Sequence, residues 1–211
     1  MPTSEHDLDD TLLPETPDGY APPVEFRYSM SAVVALVAVL TPAALVASAS
    51  MLRIGQGDAL PALFGYEATA DGFSFSVPVV LAVVFAATVA VVTALHELVH
   101  GIVLRFQGYD VSYGVVPRMG AFYAAAFHQF QHRDETRLVA IAPLLVLDVL
   151  LIPLVFVPIP MLAFAAFVGF LVNTAGSAGD LYVAWRLQRY PPGTLVYDAD
   201  IRHMYVFVPK E

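Results

Sequence analysis

The chain contains no cysteine and only one lysine, Lys210, among its 211 residues. The absence of cysteine excludes disulfide bonds and thiolate metal ligands, so any metal site must use His, Asp or Glu side chains. Charged residues make up only 14% of the chain, whereas a typical soluble domain has roughly 25%. The net charge is −9. The chain also lacks a basic patch, so we expect no nucleic-acid partner.

Apolar residues dominate instead. They account for 58% of the chain, and the mean hydropathy is +0.68. Four apolar blocks are each long enough to cross a hydrocarbon core of about 30 Å. They are Ser31–Leu52, Val77–Arg105, Leu138–Val157 and Met161–Arg186. The expected fold class is therefore all-α and membrane-embedded, with four transmembrane helices and a small β hairpin element on the cytoplasmic side.

The composition changes at both ends of this apolar region. Residues 1–28 are acidic and rich in proline at their start, which predicts a disordered tail. Residues 29–190 form the four-span domain, and residues 191–211 form a short C-terminal tail. Two segments of this tail, 194–197 and 204–208, have the pattern of a small hairpin.

The loop between the second and third blocks holds two further segments that do not span. Tyr109–Pro117 shows partial alternation, and Ala121–Phe127 is apolar but short. Around Arg118-Met119-Gly120 they form either a hairpin or re-entrant segment, or an amphipathic stretch at the interface.

The distribution of arginine predicts the orientation in the membrane. If the spans alternate, one side holds only Arg53, and the other side holds nine basic residues. These nine are Arg27, Arg105, Arg118, Arg133, Arg137, Arg186, Arg189, Arg202 and Lys210. The positive-inside rule then places both termini in the cytoplasm of a cell membrane. Residues 47–49 have the pattern of a signal-peptidase site, but the acidic tail lacks the basic segment of a signal peptide. The acidic, arginine-rich composition is typical of a prokaryotic, salt-loving source.

The sequence His96-Glu97-Leu98-Val99-His100 lies near the end of the second apolar block. On a helix, His96 and His100 project from the same face and can share a metal ion. Glu97 lies beside that face, where its carboxylate can take a proton from water. The alternative is a pair of interfacial histidines and a glutamate at a helix end.

A catalytic zinc site requires a third protein ligand. The candidates are Asp180, Asp148, Asp198, His128, His132 and His203. Counted from the nearest arginine at 1.5 Å per residue, His96 and His100 lie about 13 and 7 Å deep. By the same rise, Asp180 lies about 9 Å deep and Asp148 about 16 Å, so Asp180 fits better. Asp148 would otherwise hydrogen-bond a neighbouring helix or relay protons.

Asp180 ends a run of small and polar residues that begins at Asn173. Asn173 and Asp180 are two helical turns apart and share a face, so an amide donor for an oxyanion and a metal-binding carboxylate would point the same way. The alternative is a seam of small residues that packs two helices together.

Together, HELVHG and the Asn173–Asp180 run resemble the site-2 protease class of intramembrane zinc proteases. The chain from Val77 to Trp185 resembles the zincin peptidase family of small membrane proteins more closely. This resemblance implies that His96, His100 and Asp180 bind Zn²⁺, that Glu97 activates water, and that Asn173 holds the substrate or oxyanion. The two prolines of the site-2 pattern are absent here, and its asparagine stands eight residues before the aspartate rather than seven.

The expected function is zinc-dependent hydrolysis of a peptide bond in a membrane protein or peptide, within or next to the lipid bilayer. A non-catalytic membrane adaptor of the same shape is the first alternative. A metal-ion transporter is the second, although the polar residues cluster in one half of the membrane.

Overall fold

A computed structural model of the chain describes residues 13–116 and 121–210. Six helices lie in these ranges: α1 (Met30–Gln56), α2 (Ala59–Leu63), α3 (Val79–Phe106), α4 (Arg133–Val155), α5 (Pro160–Gly176) and α6 (Ala178–Leu187). Eight strands accompany them: β1 (Val24–Glu25), β2 (Tyr66–Thr69), β3 (Gly72–Phe75), β4 (Ser112–Val116), β5 (Ala121–Ala125), β6 (Phe130–His132), β7 (Leu195–Asp198) and β8 (Met204–Phe207).

Four helical stretches in the described part of the chain are long and apolar enough to cross a membrane. They are α1, α3, α4 and the stretch Pro160–Leu187, which comprises α5 and α6. Each coincides with one of the predicted apolar blocks, which indicates a membrane protein. The last stretch is interrupted at Ser177, whose hydroxyl donates to the Asn173 carbonyl oxygen at 2.8 Å. A break therefore precedes Asp180 although no proline is present there.

The expectation of an all-α fold is wrong in part, because the described residues contain three sheets. One has four strands in the order β1-β8-β7-β6, and β2–β3 and β4–β5 are antiparallel hairpins. The C-terminal segments predicted to form a hairpin are β7 and β8, which belong to the larger sheet. The predicted turn at Arg118-Met119-Gly120 lies outside the described residues.

The predicted tail over residues 1–28 also differs from the structure where it is described. Its first twelve residues lie outside the described ranges. Further along, β1 pairs with β8, with Val24 opposite Val206. The Tyr20 hydroxyl donates to the Gly193 carbonyl oxygen at 3.0 Å. Backbone pairing with a strand about 180 residues away orders this segment, and short-range composition does not reveal such pairing.

The chain divides into two compact units. The first comprises Met1–Val34, Glu97–Ala142 and Gly179–Glu211, and the second comprises Ala35–His96 and Pro143–Ala178. In the first unit, one apolar cluster packs α3 against α4 through Leu104 and Val139, with Ala126 between them. In the second unit, Val155 packs against α1 and α5. The Gln56 amide also donates to the Val155 and Val157 carbonyl oxygens, which satisfies the end of α4.

Candidate metal centre

Helix α3 positions three candidate metal-binding side chains. The ligand atoms of His96, Glu97 and His100 all lie within 4.8 Å of one another. Four residues separate the histidines, just over one helical turn, so the uninterrupted helix itself brings both imidazoles to one side. The described part of the chain contains no other group of three such residues this close together.

The imidazole of His100 is held by the backbone of α4. Its Nδ1 lies 3.0 Å from the Val139 carbonyl oxygen, and the residue is only 8% exposed. A carbonyl oxygen can only accept a hydrogen bond, so Nδ1 carries the proton and Nε2 keeps its lone pair. Such a bond to the second ring nitrogen orients metal-binding histidines in general.

A side-chain amide performs the same task for His96. The Nδ1 of His96 lies 2.9 Å from the Oδ1 of Asn173. The amide nitrogen of Asn173 donates to the Pro143 carbonyl oxygen at 3.2 Å and to Asp148 Oδ1 at 2.9 Å. These acceptors fix the orientation of the amide, so its oxygen must accept from His96. The Nε2 of His96 is therefore also left with its lone pair.

Asp148 supports this arrangement from one step further away. Its Oδ1 accepts from Asn173, and its Oδ2 accepts from the Thr174 hydroxyl at 2.9 Å. Both oxygens thus bind α5, and Asp148 contacts the histidine side of the site through Asn173. The structure leaves Asp148 in the helix-bonding position that the sequence kept open as an alternative to metal binding.

Asp180 lies close to the second histidine. Its Oδ1 is 3.6 Å from His100 Nε2. Two ligands that each bind one tetrahedral zinc ion at about 2.0–2.1 Å lie about 3.4 Å apart. The separation therefore fits a shared ion, and two imidazoles with a carboxylate are a common donor set for zinc. The residues present fit a zinc ion.

Glu97 is placed by the hairpin β4–β5. Its Oε2 accepts a hydrogen bond from the backbone nitrogen of Ala124 at 3.2 Å. Gly101, one turn further along α3, lets the hairpin approach the helix, because a Cβ there would lie 2.3 Å from the Tyr113 hydroxyl. The hairpin therefore holds one oxygen of the carboxylate beside the histidines.

A cavity of about 220 Å³ opens beside Glu97 and His100 within the first unit. Asp180, Asp198 and Tyr28 also line it. Burial, followed by the nearby carboxylates of Asp198 and Asp180, raises the pKa of the Tyr28 phenol to about 12. Tyr28 is a residue that sequence reasoning missed, because it stands in the segment read as a tail and no motif marks it.

The remaining candidate ligands have other partners or positions. Asp198 Oδ2 accepts from the Gln131 amide at 3.1 Å. His203 pairs with Asp200 at 2.8 Å. His128 Nδ1 lies 3.3 Å from the Tyr197 hydroxyl, and His132 is an exposed residue of β6. The structure thus places Asp180 beside His100 and the candidate histidines elsewhere.

A model of the family described as "Putative zincin peptidase" matches residues 89–195, just over half of the chain. The matched region contains the three residues of α3, Asn173 and Asp180, whereas Tyr28 and Asp198 lie outside it. The family suggests a metallopeptidase, and its zincin character implies zinc. Comparisons with curated proteins and with solved structures give no match.

Proposed function

The chain belongs to this zincin peptidase family, and from that premise we propose that it is a zinc-dependent peptidase embedded in a membrane. Its substrate is a peptide bond of a membrane protein or peptide, within or next to the bilayer. Two features support this location: the four apolar helices and the resemblance of HELVHG and the Asn173–Asp180 run to the site-2 protease class.

One observation carries the proposal. Both histidines donate through Nδ1, to Val139 and to Asn173, so that both Nε2 atoms are available to a metal. With Asp180 at 3.6 Å from His100, we assign the zinc ligands as His96, His100 and Asp180. When bound, zinc polarises the scissile carbonyl and makes water acidic enough to lose a proton near neutral pH.

Glu97 is the general base in this scheme. Its carboxylate takes one proton from water as the water oxygen bonds to the carbonyl carbon. It then gives that proton to the leaving amine nitrogen as the carbon–nitrogen bond breaks. The bond from Ala124 to Oε2 fixes the carboxylate while it accepts and returns the proton.

Tyr28 is the side chain we assign to the oxyanion. It lines the cavity with Glu97 and Asp180, and a phenol with a pKa of about 12 stays a hydrogen-bond donor at neutral pH. Asn173 was predicted for this role from the sequence. Its amide instead contacts His96, Pro143 and Asp148, so we assign it to positioning His96.

The activity is tested with membranes that receive either the wild type or Glu97→Gln. New protein N-termini are identified by mass spectrometry, and zinc content is measured in parallel. We expect termini that appear only with the wild type, that are blocked by a zinc chelator and that return when zinc is added. Glu67→Gln, on the exposed strand β2, is the matched control. Identical termini with wild type and Glu97→Gln, at equal zinc content, would overturn the peptidase proposal and favour a non-catalytic adaptor.

We also propose that both termini lie in the cytoplasm, because the basic residues gather on that side of the spans. A cysteine in place of Asp110 should react with an impermeant reagent only after the cells are opened. Labelling from outside intact cells would reverse the orientation.

A further inference from the structure

The hairpin β2–β3 has two chemically different faces. Tyr66 pairs with Phe75, and Ala68 pairs with Phe73. Residues directly opposite each other in an antiparallel pair share a face, so these four form one apolar face. The rings of Tyr66 and Phe73 stack across it, with centroids 5.9 Å apart. The other face consists of Glu67 paired with Ser74 and Thr69 paired with Gly72.

No other described residue covers the apolar face. Every residue of both strands is exposed, and Phe73 and Phe75 are 72% and 59% exposed. An isolated two-stranded hairpin is at best marginally stable in water. The strict alternation of aromatic and polar residues therefore indicates a surface with a second phase on one side.

The position of the hairpin identifies that phase. It lies in the connection between α1, which ends at Gln56, and α3, which begins at Val79. Four residues separate Phe75 from Val79, a reach of at most about 14 Å for an extended chain. The exposed apolar surface also continues without a break through Val77, at 57%, into Val79, at 80%. The aromatic face thus adjoins the lipid-facing surface of a predicted span.

A protein partner and an electrostatic attachment to lipid both fit less well. Three aromatic rings can bury roughly 450–750 Å² at 150–250 Å² each, which is below the roughly 800 Å² per partner of a stable protein interface. The connection 57–78 contains no lysine or arginine, so attraction to anionic lipid does not account for the aromatic face either. Insertion of aromatic side chains into the headgroup region of the membrane does.

We propose that the hairpin β2–β3 is an interfacial membrane anchor. Its face of Tyr66, Ala68, Phe73 and Phe75 lies in the lipid headgroup region of the leaflet where α1 ends and α3 begins, and its polar face lies in water. This anchor holds the connection between the two spans flat on the membrane. The proposal rests on the spanning helices and is independent of the peptidase activity.

The chain has no cysteine, so single cysteines can carry a nitroxide spin label. Phe73→Cys and Phe75→Cys report the aromatic face, and Thr69→Cys and Ser74→Cys are the matched controls on the polar face. Each full-length variant is placed in nanodiscs of zwitterionic phosphatidylcholine. Power saturation then measures how often the label collides with oxygen, which concentrates in lipid, and with a water-soluble nickel chelate.

We expect the oxygen-to-nickel accessibility ratio to be severalfold higher at positions 73 and 75 than at positions 69 and 74. The two aromatic positions test each other, because each variant keeps the other ring. Equal, nickel-accessible labels on both faces would mean that the hairpin stands in water. Labels at positions 73 and 75 that neither reagent reaches would mean a protein contact. Either result overturns the anchor.

Discussion

The Nδ1 of His96 lies 2.9 Å from the Oδ1 of Asn173, and the nitrogen of the same amide lies 2.9 Å from Asp148. A carboxylate on α4 thereby orients an amide on α5, which in turn orients an imidazole on α3. Groups that hold a metal-binding histidine in this way typically contribute 10–100-fold to metal affinity.

The first prediction concerns this chain of hydrogen bonds. Asn173→Leu removes the acceptor that keeps the proton on Nδ1 of His96, so zinc affinity should fall by about 10–100-fold. Thr174→Val is the control, because it removes the other donor to Asp148 without touching His96. Competition with a fluorescent chelator measures both affinities, and thermal unfolding checks that both variants fold. Wild-type affinity in folded Asn173→Leu would exclude the positioning role.

The second prediction distinguishes the two intramembrane aspartates. Asp180→Asn replaces an anionic ligand by a neutral amide, so both zinc content and activity should fall. Asp148→Asn should keep most of its zinc, because Asp148 binds Asn173 and Thr174 rather than the metal. Zinc per chain is measured after dialysis against a weak chelator. The opposite pattern, with zinc lost only in Asp148→Asn, would move the third ligand to α4.

The third prediction concerns Tyr28. Tyr28→Phe keeps the ring but removes the hydroxyl, so the hydrolysis rate should fall, by about 10²–10³ if the donor acts fully on the oxyanion. Zinc content should not change. Tyr182→Phe is the matched control, because this ring packs 5.9 Å from Tyr28 but does not line the cavity. Unchanged hydrolysis in Tyr28→Phe would remove Tyr28 from the scheme.

The fourth prediction is a dependence of stability on pH. Burial, followed by the neighbouring Asp200, raises the pKa of Asp198 from its ordinary 3.8 to about 6, against the hydrogen bond from Gln131. The folded state therefore holds this proton more tightly than the unfolded state. The resulting stability is complete below about pH 4 and is lost as the pH rises through 6, by on the order of 2–3 kcal/mol.

Asp198→Asn should consequently unfold at a higher temperature than wild type at pH 7.5 and at nearly the same temperature at pH 4. Asp200 should show the opposite sign. Burial alone would raise its pKa, but hydrogen bonds from the Arg202 backbone and from His203 hold the pKa below its usual value. Asp200→Asn should therefore destabilise the protein at pH 7.5. Thermal scans at both pH values test the pair, and a lower transition for Asp198→Asn at pH 7.5 would contradict the assignment.

The spans were predictable because long apolar runs record membrane thickness directly. The second predicted block, Val77–Arg105, differs from α3 by two residues at its start and one at its end. The sheets were not, because their strands have only two to five residues and the largest sheet joins β1 to β8 across the chain. The β2–β3 hairpin went unnoticed between two stronger apolar signals.

The site was predictable as far as one helix carries it. The spacing of His96 and His100 brings them together whatever surrounds them. The partners come from other helices, and depth alone left Asp180 and Asp148 as rivals. What separates them is orientation, because Asp148 has both oxygens on α5 and Asp180 faces His100.

Zinc stoichiometry tests the central claim most directly. Purified wild type and His100→Ala are exposed to equal zinc, dialysed and analysed by inductively coupled plasma mass spectrometry. We expect about one zinc ion per wild-type chain, as in single-site catalytic centres, and little in folded His100→Ala. A wild-type chain that remains metal-free after exposure to zinc would contradict the account, as would equal zinc in both proteins.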